Sequence, residues 1–150
     1  MLSYEYVAGI IDGEGSVVMH PNSQGGFTGL LSVGNTSKIL VDALLESCGG
    51  HIYTPKKYPT NFKPEGGKQI YHWQLHGQKA LPLLRAITPH LLIKIEQAEL
   101  LMEFLTEHCP GVHRQRSKED NWGQRTVISV ARCFEIANAV HELNVGPLVR

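Results

Sequence analysis

The amino-acid sequence predicts an α+β fold built on an antiparallel sheet. Apolar residues recur at helical spacing in residues 3–13, and apolar and polar residues alternate strictly in residues 71–76. Turn-forming segments rich in glycine, proline and asparagine separate pairs of strand-like runs. The resulting order is helix, two strands, helix, two strands and then helices, which is typical of helices packed on one face of an antiparallel sheet.

Each predicted element has recognisable boundaries. The first helix covers residues 3–13, and a turn at 21–26 joins strands at 16–20 and 27–33. A second helix runs from about residue 37 to 48 and is closed by two glycines. The later elements are strands at 51–56 and 69–76, a short helix at 78–87, a long helix opened by Thr88 and Pro89 and reaching 108, a basic loop at 110–124, and a last helix ending near Asn144.

The composition indicates one globular domain. The 150 residues suffice for one core and are too few for two ordinary ones, so residues 1–150 form a single predicted domain with a C-terminal loop and helix at 110–150. No apolar run reaches membrane-spanning length, and no signal peptide precedes the first helix. Three scattered cysteines suit a reducing compartment. We expect an intracellular protein, in an organelle or a prokaryotic cytoplasm, with no membrane partner.

The distribution of charge permits nucleic-acid binding, although the formal net charge is zero. Residues 16–79 contain six lysines against three acidic residues, and they also hold four of the eight histidines. A neutral chain argues mildly against such binding, and chance scatter would give a similar imbalance. Charge alone therefore does not establish nucleic-acid binding, and the sequence motifs provide the stronger evidence.

The most informative segment is V-A-G-I-I-D-G-E-G at residues 7–15. Gly9 and Gly13 lie four residues apart on one helix face, where the missing Cβ atoms let another backbone approach closely. Gly13 and Gly15 also mark the predicted helix end, where glycine accepts left-handed torsions. A buried glycine-rich helix followed by an acidic turn is the plainer alternative.

Glu14 follows in an unusual electrostatic position. It stands at the predicted helix C-terminus, beside carbonyls without intrahelical partners and the negative end of the helix dipole. A carboxylate is unfavourable there unless a positive group joins it. A divalent cation would bind both the carboxylate and a carbonyl oxygen, since hard cations prefer oxygen ligands.

This segment resembles the motif of the LAGLIDADG homing endonucleases, position by position, with Glu14 in place of the aspartate that binds metal in that family. The resemblance covers essentially the whole chain and is weakest from Pro110 onward. It implies the LAGLIDADG endonuclease fold, α-β-β-α-β-β-α with a saddle-shaped antiparallel sheet, followed here by extra C-terminal helices. One motif in one chain implies a homodimer. The implied dimer contact consists of Val7, Ala8, Gly9, Asp12 and Gly13. Asp12 is also expected to close the helix end.

The resemblance also implies a catalytic centre. Residues 89–98 are similar to a helix start in single-motif family members, in which the lysine before x-x-Q-A is catalytic, and Lys94 matches it. Taken alone, Lys94 would be an ordinary solvent lysine on an amphipathic helix. Asn35 lies at a strand end where the family places a residue that helps hold metal-bound water, and where a helix N-cap would also fit. Glu14 and the Gly13 carbonyl would bind Mg²⁺ or Mn²⁺, and Lys94 would support charge on the phosphate.

The alternating strands predict a surface that reads DNA. A twisted antiparallel ribbon fits the major groove, where polar side chains can contact base edges. Simple solvation of a polar sheet face is the alternative. The phase of the third strand is ambiguous, and we favour the one that turns Tyr53 and Lys57 towards DNA. The predicted DNA-binding residues are Thr28, Leu30, Ser32, Lys38, Tyr53, Lys57, His72, Gln74 and His76.

These observations together predict an enzyme. The implied function is that of a site-specific homing endonuclease, which breaks both strands of a long, roughly palindromic DNA target by Mg²⁺-dependent hydrolysis and so promotes mobility of its host intron. The alternative is a non-cleaving relative, either an intron-RNA maturase or a DNA-binding regulator. Glu14 and Lys94 favour cleavage, because a pure binder needs neither. A small metabolic enzyme is disfavoured, since the sequence has no phosphate loop, catalytic triad or clear metal cluster.

Overall fold

A computed structural model describes residues 1–23, 26–55, 68–107 and 130–145. Within these residues the α+β class is confirmed, and the elements follow the predicted order. The helices are α1 (Tyr4–Glu14), α2 (Lys38–Cys48), α3 (Leu81–Ile87), α4 (Ile95–Glu107) and α5 (Val130–Val145). The strands are β1 (Gly15–Pro21), β2 (Phe27–Asn35), β3 (His51–Tyr53) and β4 (Tyr71–His76).

The four strands form one antiparallel sheet in the order β1-β2-β4-β3. Leu31 of β2 pairs with Val17 of β1 on one side and with Leu75 of β4 on the other. Directly paired residues share a face of an antiparallel sheet, so these three side chains all point to the same side. They are buried, and this side is the inner face of the sheet.

The hydrophobic core lies between the inner face and the helices. Trp73 is its largest fully buried side chain, and its indole N–H donates to the carbonyl of Gly49, 2.7 Å away, at the end of α2. Helix α4 crosses β2 so closely that a Cβ on Gly29 would collide with the side chain of Leu101. Residues from all five described helices and from β1, β2 and β4 contribute to this core cluster.

Helix α5 covers the β1 edge of the sheet. Phe134 meets Phe27 edge to face, with ring centroids 5.0 Å apart, and the Asn144 amide donates to the Val17 carbonyl at 2.8 Å. Arg132 joins α5 to α4 through a bidentate pair with Glu103, at 2.8 Å and 2.9 Å. Among the described residues, no helix combines the length and apolar character needed to cross a membrane.

Two predicted boundaries are wrong in an informative way. The predicted long helix does not begin at Pro89, which belongs to a separate 3-10 turn, Thr88–His90. Leu91 is extended after that turn, and α4 begins only at Ile95. The predicted helix at 78–87 is likewise divided into a 3-10 turn, Gly77–Ala80, and α3, because Pro82 can occupy only the first turn of the α-helix.

Candidate functional site

Helix α1 passes into β1 without a connecting loop. The amide of Gly15 donates to the carbonyls of Ile10 and Ile11, and its φ of −89° is ordinary extended backbone. A Cβ on Gly15 would lie 2.7 Å from the Cα of Ile11, so only glycine allows this close reversal. The predicted left-handed torsions at Gly13 and Gly15 are therefore absent, and close approach is what requires Gly15. Glu14 thus lies at the end of α1 and directly before the sheet.

Asn35, the last residue of β2, lies next to Glu14. Its amide nitrogen donates to Glu14 Oε2 at 3.5 Å, and its Oδ1 accepts the backbone N–H of Ser37 at 2.8 Å. The N-cap of α2 is Ser37, whose hydroxyl accepts from the amide of Leu40. The structure therefore separates the two alternatives for this region, because Ser37 caps the helix and Asn35 is oriented towards the carboxylate.

Lys94 brings a positive charge to the end of α1. Its Nζ donates to the carbonyls of Ile11, at 2.9 Å, and Asp12. These carbonyls belong to the last turn of α1, where the negative end of the helix dipole attracts a cation. Lys94 thus offsets the negative dipole at the end of α1, and the divalent cation predicted at Glu14 stays a prediction. Lys94 itself precedes α4, since its carbonyl accepts the amide of Ala98 at 3.0 Å. It does not lie in the second turn of a helix opened by Pro89.

Asp12 differs from the prediction in its partners. Its carboxylate accepts the backbone amides of Leu92, Ile93 and Lys94 at 2.7, 3.2 and 3.0 Å. It therefore does not close its own helix, and instead satisfies the N–H groups that precede α4. Because the carboxylate already accepts three amides of its own chain, we do not assign Asp12 a hydrogen bond across the predicted dimer contact.

The bare face of α1 is narrower than predicted. Gly9 and Gly13 are exposed, and a Cβ on either residue would meet nothing within 4 Å. Val7 and Ala8, by contrast, are 1% and 0% exposed and lie in the core of their own chain. These two cannot form a dimer contact, because helix geometry turns them towards the sheet. The exposed surface consists of the two glycines with Glu5 and Tyr6 beside them.

The outer face of the sheet carries most of the predicted DNA-binding residues. Pairing of β3 with β4 places Tyr53 opposite His72 and so on the outer face, as favoured for this residue; a contact with DNA stays a prediction. The predicted residues that register places on the outer face are Thr28, Leu30, Ser32, Tyr53, His72, Gln74 and His76. Leu30 is an exception in exposure: it is only 5% exposed, so it cannot offer a DNA contact of its own.

Several outer-face residues escaped prediction. Ser16, Val18 and His20 of β1 pair with Ser32, Leu30 and Thr28, and His51 of β3 pairs with Gln74. The strand at 16–20 was predicted, but its three consecutive apolar residues do not reveal which side chains face outward. The strand could not be oriented from the sequence, because the register of β1 against β2 is set by tertiary packing.

Histidines cluster at one end of this face. The rings of His51 and His76 are stacked, with centroids 5.1 Å apart and planes 14° from parallel. Burial, with further contributions from His51 and His20, lowers the pKa of His76 below its usual value. His72 lies apart from these rings, against Tyr53 at 6.3 Å. The face therefore carries several imidazoles, of which His51 and His76 are stacked.

Of the two lysines predicted to contact DNA, the structure describes only Lys38. Lys38 is exposed at the start of α2, and its ammonium pairs with the carboxylate of Asp42 at 2.6 Å. A phosphate at Lys38 would have to compete with this neighbour, although exposed pairs of this type are weak. Lys57 lies outside the described residues, as do Lys56 and Lys63.

Solved structures of DNA-bound endonucleases share this fold. The homing endonuclease I-CvuI, in complex with its DNA target, matches with a TM-score of 0.65 and 16% identity over 97% of this chain and 83% of that one. The archaeal intron-encoded homing endonuclease I-Vdi141I, complexed with DNA, gives a TM-score of 0.55 and 16% identity over 95% and 97% of the two chains.

A larger protein contains the same unit as a part. The LAGLIDADG homing endonuclease I-GzeII, in complex with its DNA target, matches 71% of this chain and 36% of its own, with a TM-score of 0.54 and 16% identity. Neither a scan of protein-family models nor a search of curated proteins found a match. From the structural matches and the element order, the chain has the fold of the LAGLIDADG homing endonucleases.

Proposed function

We propose that this chain is a single-motif LAGLIDADG homing endonuclease, which cuts both strands of a DNA site as a homodimer in the presence of Mg²⁺. One observation carries the proposal: Glu14, Asn35 and Lys94, from three separate parts of the chain, converge on the C-terminal end of α1. This point lies where α1 passes directly into β1, and we infer that the backbone of a duplex on the sheet reaches the carboxylate there.

Two further findings support DNA as the partner. The structural matches I-CvuI and I-Vdi141I are DNA complexes. The outer face also presents hydroxyl, imidazole and amide groups in adjacent register, with Ser16, Ser32, Gln74 and His51 in one row across all four strands. Such groups can donate to and accept from base edges in the major groove.

The donor set at the end of α1 fits a hard divalent cation. Glu14 provides an exposed carboxylate, and Asn35 orients towards it. Within the described residues, no three His, Cys, Asp or Glu side chains converge as a complete metal site. In this proposal Glu14 and the Gly13 carbonyl would hold Mg²⁺ together with oxygens from DNA. Magnesium usually combines one or two carboxylates with phosphate and water in this way. The bound ion would polarise the phosphate and generate a nucleophile from water.

The side chains around Glu14 have separable roles in this proposal. Asn35 has its Oδ1 engaged by Ser37, which directs its amide N–H groups towards Glu14 and any water beside it. Lys94 holds a fixed positive charge where negative charge develops on the phosphate. Such prearranged charges are effective because they need no reorganisation during the reaction.

The proposed dimer follows from the number of active sites. One Glu14 serves one strand, so cleavage of both strands requires two chains. The exposed Gly9 and Gly13 surface allows two copies of α1 to pack closely about a two-fold axis. A two-fold dimer presents its reading surface twice, so the target would be roughly palindromic. Insertion of a host intron at such a site would be the biological outcome.

A cleavage assay tests the proposal directly. The purified chain is incubated with DNA that spans the insertion site of its own gene, and in parallel with a library of partly palindromic duplexes, with Mg²⁺ or with EDTA. We expect Mg²⁺-dependent products with both strands cut at a defined position. Absence of cleavage from every duplex, at protein concentrations that saturate binding, would contradict an endonuclease function.

A non-cleaving nucleic-acid binder is the second candidate, and the contacts of Lys94 are compatible with it. Because Nζ donates to the last carbonyls of α1, the lysine has a structural role even without catalysis. Specific binding to DNA or intron RNA without cleavage in the same assay would identify this alternative.

Replacement of the outer-face residues should relax sequence specificity. For His72→Ala and Gln74→Ala we expect loss of discrimination at a few symmetric positions of the target, by about 1–3 kcal/mol each, because each removes a potential base contact. Binding to a library of single base changes measures this. Lys68→Ala, an exposed lysine in front of β4, is the control and should affect all sequences alike. An unchanged base profile for both variants would mean that these side chains are only solvated.

DNA binding should strengthen as the pH falls, through His76. Burial, His51 and His20 lower the pKa of His76 in the free protein, so the ring is neutral at pH 7. A nearby phosphate favours the charged form and raises that pKa, so binding takes up a proton between the two values. The free protein should instead lose stability as the pH falls below the unfolded-state pKa of about 6.5. Dissociation constants at pH 8 and pH 6 test this; an equal pH dependence in His76→Gln would refute it.

A further inference from the structure

Lys94 is held at both ends by one residue. The backbone N–H of Lys94 donates to Asp12 Oδ1 at 3.0 Å, and its Nζ donates to the carbonyl oxygen of the same Asp12. Two further amides, of Leu92 and Ile93, also donate to this carboxylate. The last turn of α1 and the segment before α4 are thus joined by hydrogen bonds across about eighty residues of sequence.

The backbone of residues 92–94 is held by these hydrogen bonds and not by regular secondary structure or side-chain burial. Residues 92–94 are neither helix nor strand, and Leu92 and Ile93 are 86% and 72% exposed, so side-chain burial does not fix their backbone. Three adjacent N–H groups donating to one carboxylate provide that constraint, because hydrogen bonds to a charged acceptor are about twice as strong as neutral ones. Without the carboxylate, the backbone that carries Lys94 has no comparable anchor among the described residues.

The ammonium of Lys94 is consequently preorganised. It has three N–H donors, and the carbonyls of Ile11 and Asp12 take two of them. No third acceptor is found in the part of the chain that the structure describes, which leaves one N–H for a ligand at the Glu14 end of α1. We propose that Asp12 is a positioning residue, which holds the Lys94 ammonium in place for a DNA phosphate. This proposal rests on the endonuclease function proposed above and assigns Asp12 a role in its active site.

A double-mutant cycle tests whether Asp12 acts through Lys94. Asp12→Asn keeps the shape but replaces one acceptor oxygen with an NH₂ group, which repels the facing amides. We expect the single-turnover cleavage rate at saturating Mg²⁺ to fall about 10²-fold, since misplacement of a reacting group by about 1 Å has effects of that size. In a Lys94→Met background the same change should have almost no additional effect. Equal fold losses in both backgrounds would overturn the proposal, because independent sites behave additively. Glu99→Gln, an exposed neutralisation on α4, is the matched control and should leave the rate unchanged.

A second measurement does not depend on cleavage. In the free wild-type protein, ¹H–¹⁵N spectra should show a slowly exchanging ammonium signal that disappears in Lys94→Met, whereas exposed lysines exchange rapidly with water. Asp12→Asn should remove or broaden this signal at a temperature well below its unfolding midpoint. An unchanged signal would overturn the positioning role. If Asp12→Asn does not fold, the spectrum of the wild type tests the proposal alone. Rapid exchange of its Lys94 ammonium with water would show that the ammonium is not held and would overturn the proposal. If the wild type holds the signal but cuts no DNA, the endonuclease function fails while the Asp12 contact stands.

Discussion

Glu14→Gln is expected to abolish cleavage while leaving specific DNA binding largely intact. The substitution removes the negative charge from the end of α1 but keeps the size of the side chain, and Glu14 is exposed, so folding should be little affected. Loss of the divalent ion removes several kcal/mol of transition-state stabilisation, which corresponds to a rate reduction of roughly 10³-fold or more.

The measurements for Glu14→Gln separate binding from hydrolysis. Dissociation constants measured in Ca²⁺ should agree with those of the wild type, since calcium accepts looser coordination and is expected to support binding without turnover. Cleavage is then measured in Mg²⁺. Glu46→Gln, an equivalent change at an exposed position of α2, should cut normally. A Glu14→Gln variant that cuts at the wild-type rate would exclude Glu14 as the metal ligand.

The fold was predictable because its signals are periodic and local. Alternation in residues 71–76 identified β4 and the polarity of its two faces, and the paired glycines at 49 and 50 identified the end of α2. The start of α4 was not predictable in the same way. The amides of the three residues before α4 donate to Asp12, about eighty residues earlier in the sequence. Pro89, by contrast, offered a local signal for a helix start six residues before the observed start at Ile95.

In the candidate site too, local sequence signals identified residues, whereas contacts between distant parts of the chain could not be predicted. Glu14 could be identified from its position at the end of a helix, and the structure places the predicted Asn35 within 3.5 Å of its carboxylate. That Lys94 binds the carbonyls of α1 could not be read from the sequence, because nothing local links residues 11 and 94. The failure of Val7 and Ala8 as dimer contacts has a further cause. Gly9 and Gly13 are exposed as expected, but neighbouring small and apolar residues were assigned to the same face although helix geometry turns them inward.

The exposed glycine surface leads to a prediction in which dimer formation and monomer stability change independently. Gly9→Leu should break the dimer without destabilising the monomer. A Cβ on Gly9 would meet nothing within 4 Å in its own chain. Leucine also favours helices over glycine by roughly 0.5–1 kcal/mol, so the isolated chain should be unchanged or slightly more stable. At a close helix–helix contact, however, the added side chain would force the two copies of α1 apart.

Sedimentation and cleavage together test this prediction for Gly9→Leu. We expect the wild type to sediment as a dimer and the variant as a monomer with an intact circular dichroism spectrum. The variant should also lose double-strand cleavage, because each chain carries a single Glu14. Ala131→Leu, at an exposed position of α5, adds similar bulk away from α1 and should remain dimeric. A wild-type chain that stays monomeric on DNA and still cuts both strands of an asymmetric site would rule out the glycine face as the contact. Both cuts would then have to come from one Glu14, which in turn would require the chain to reposition on DNA between the two strands.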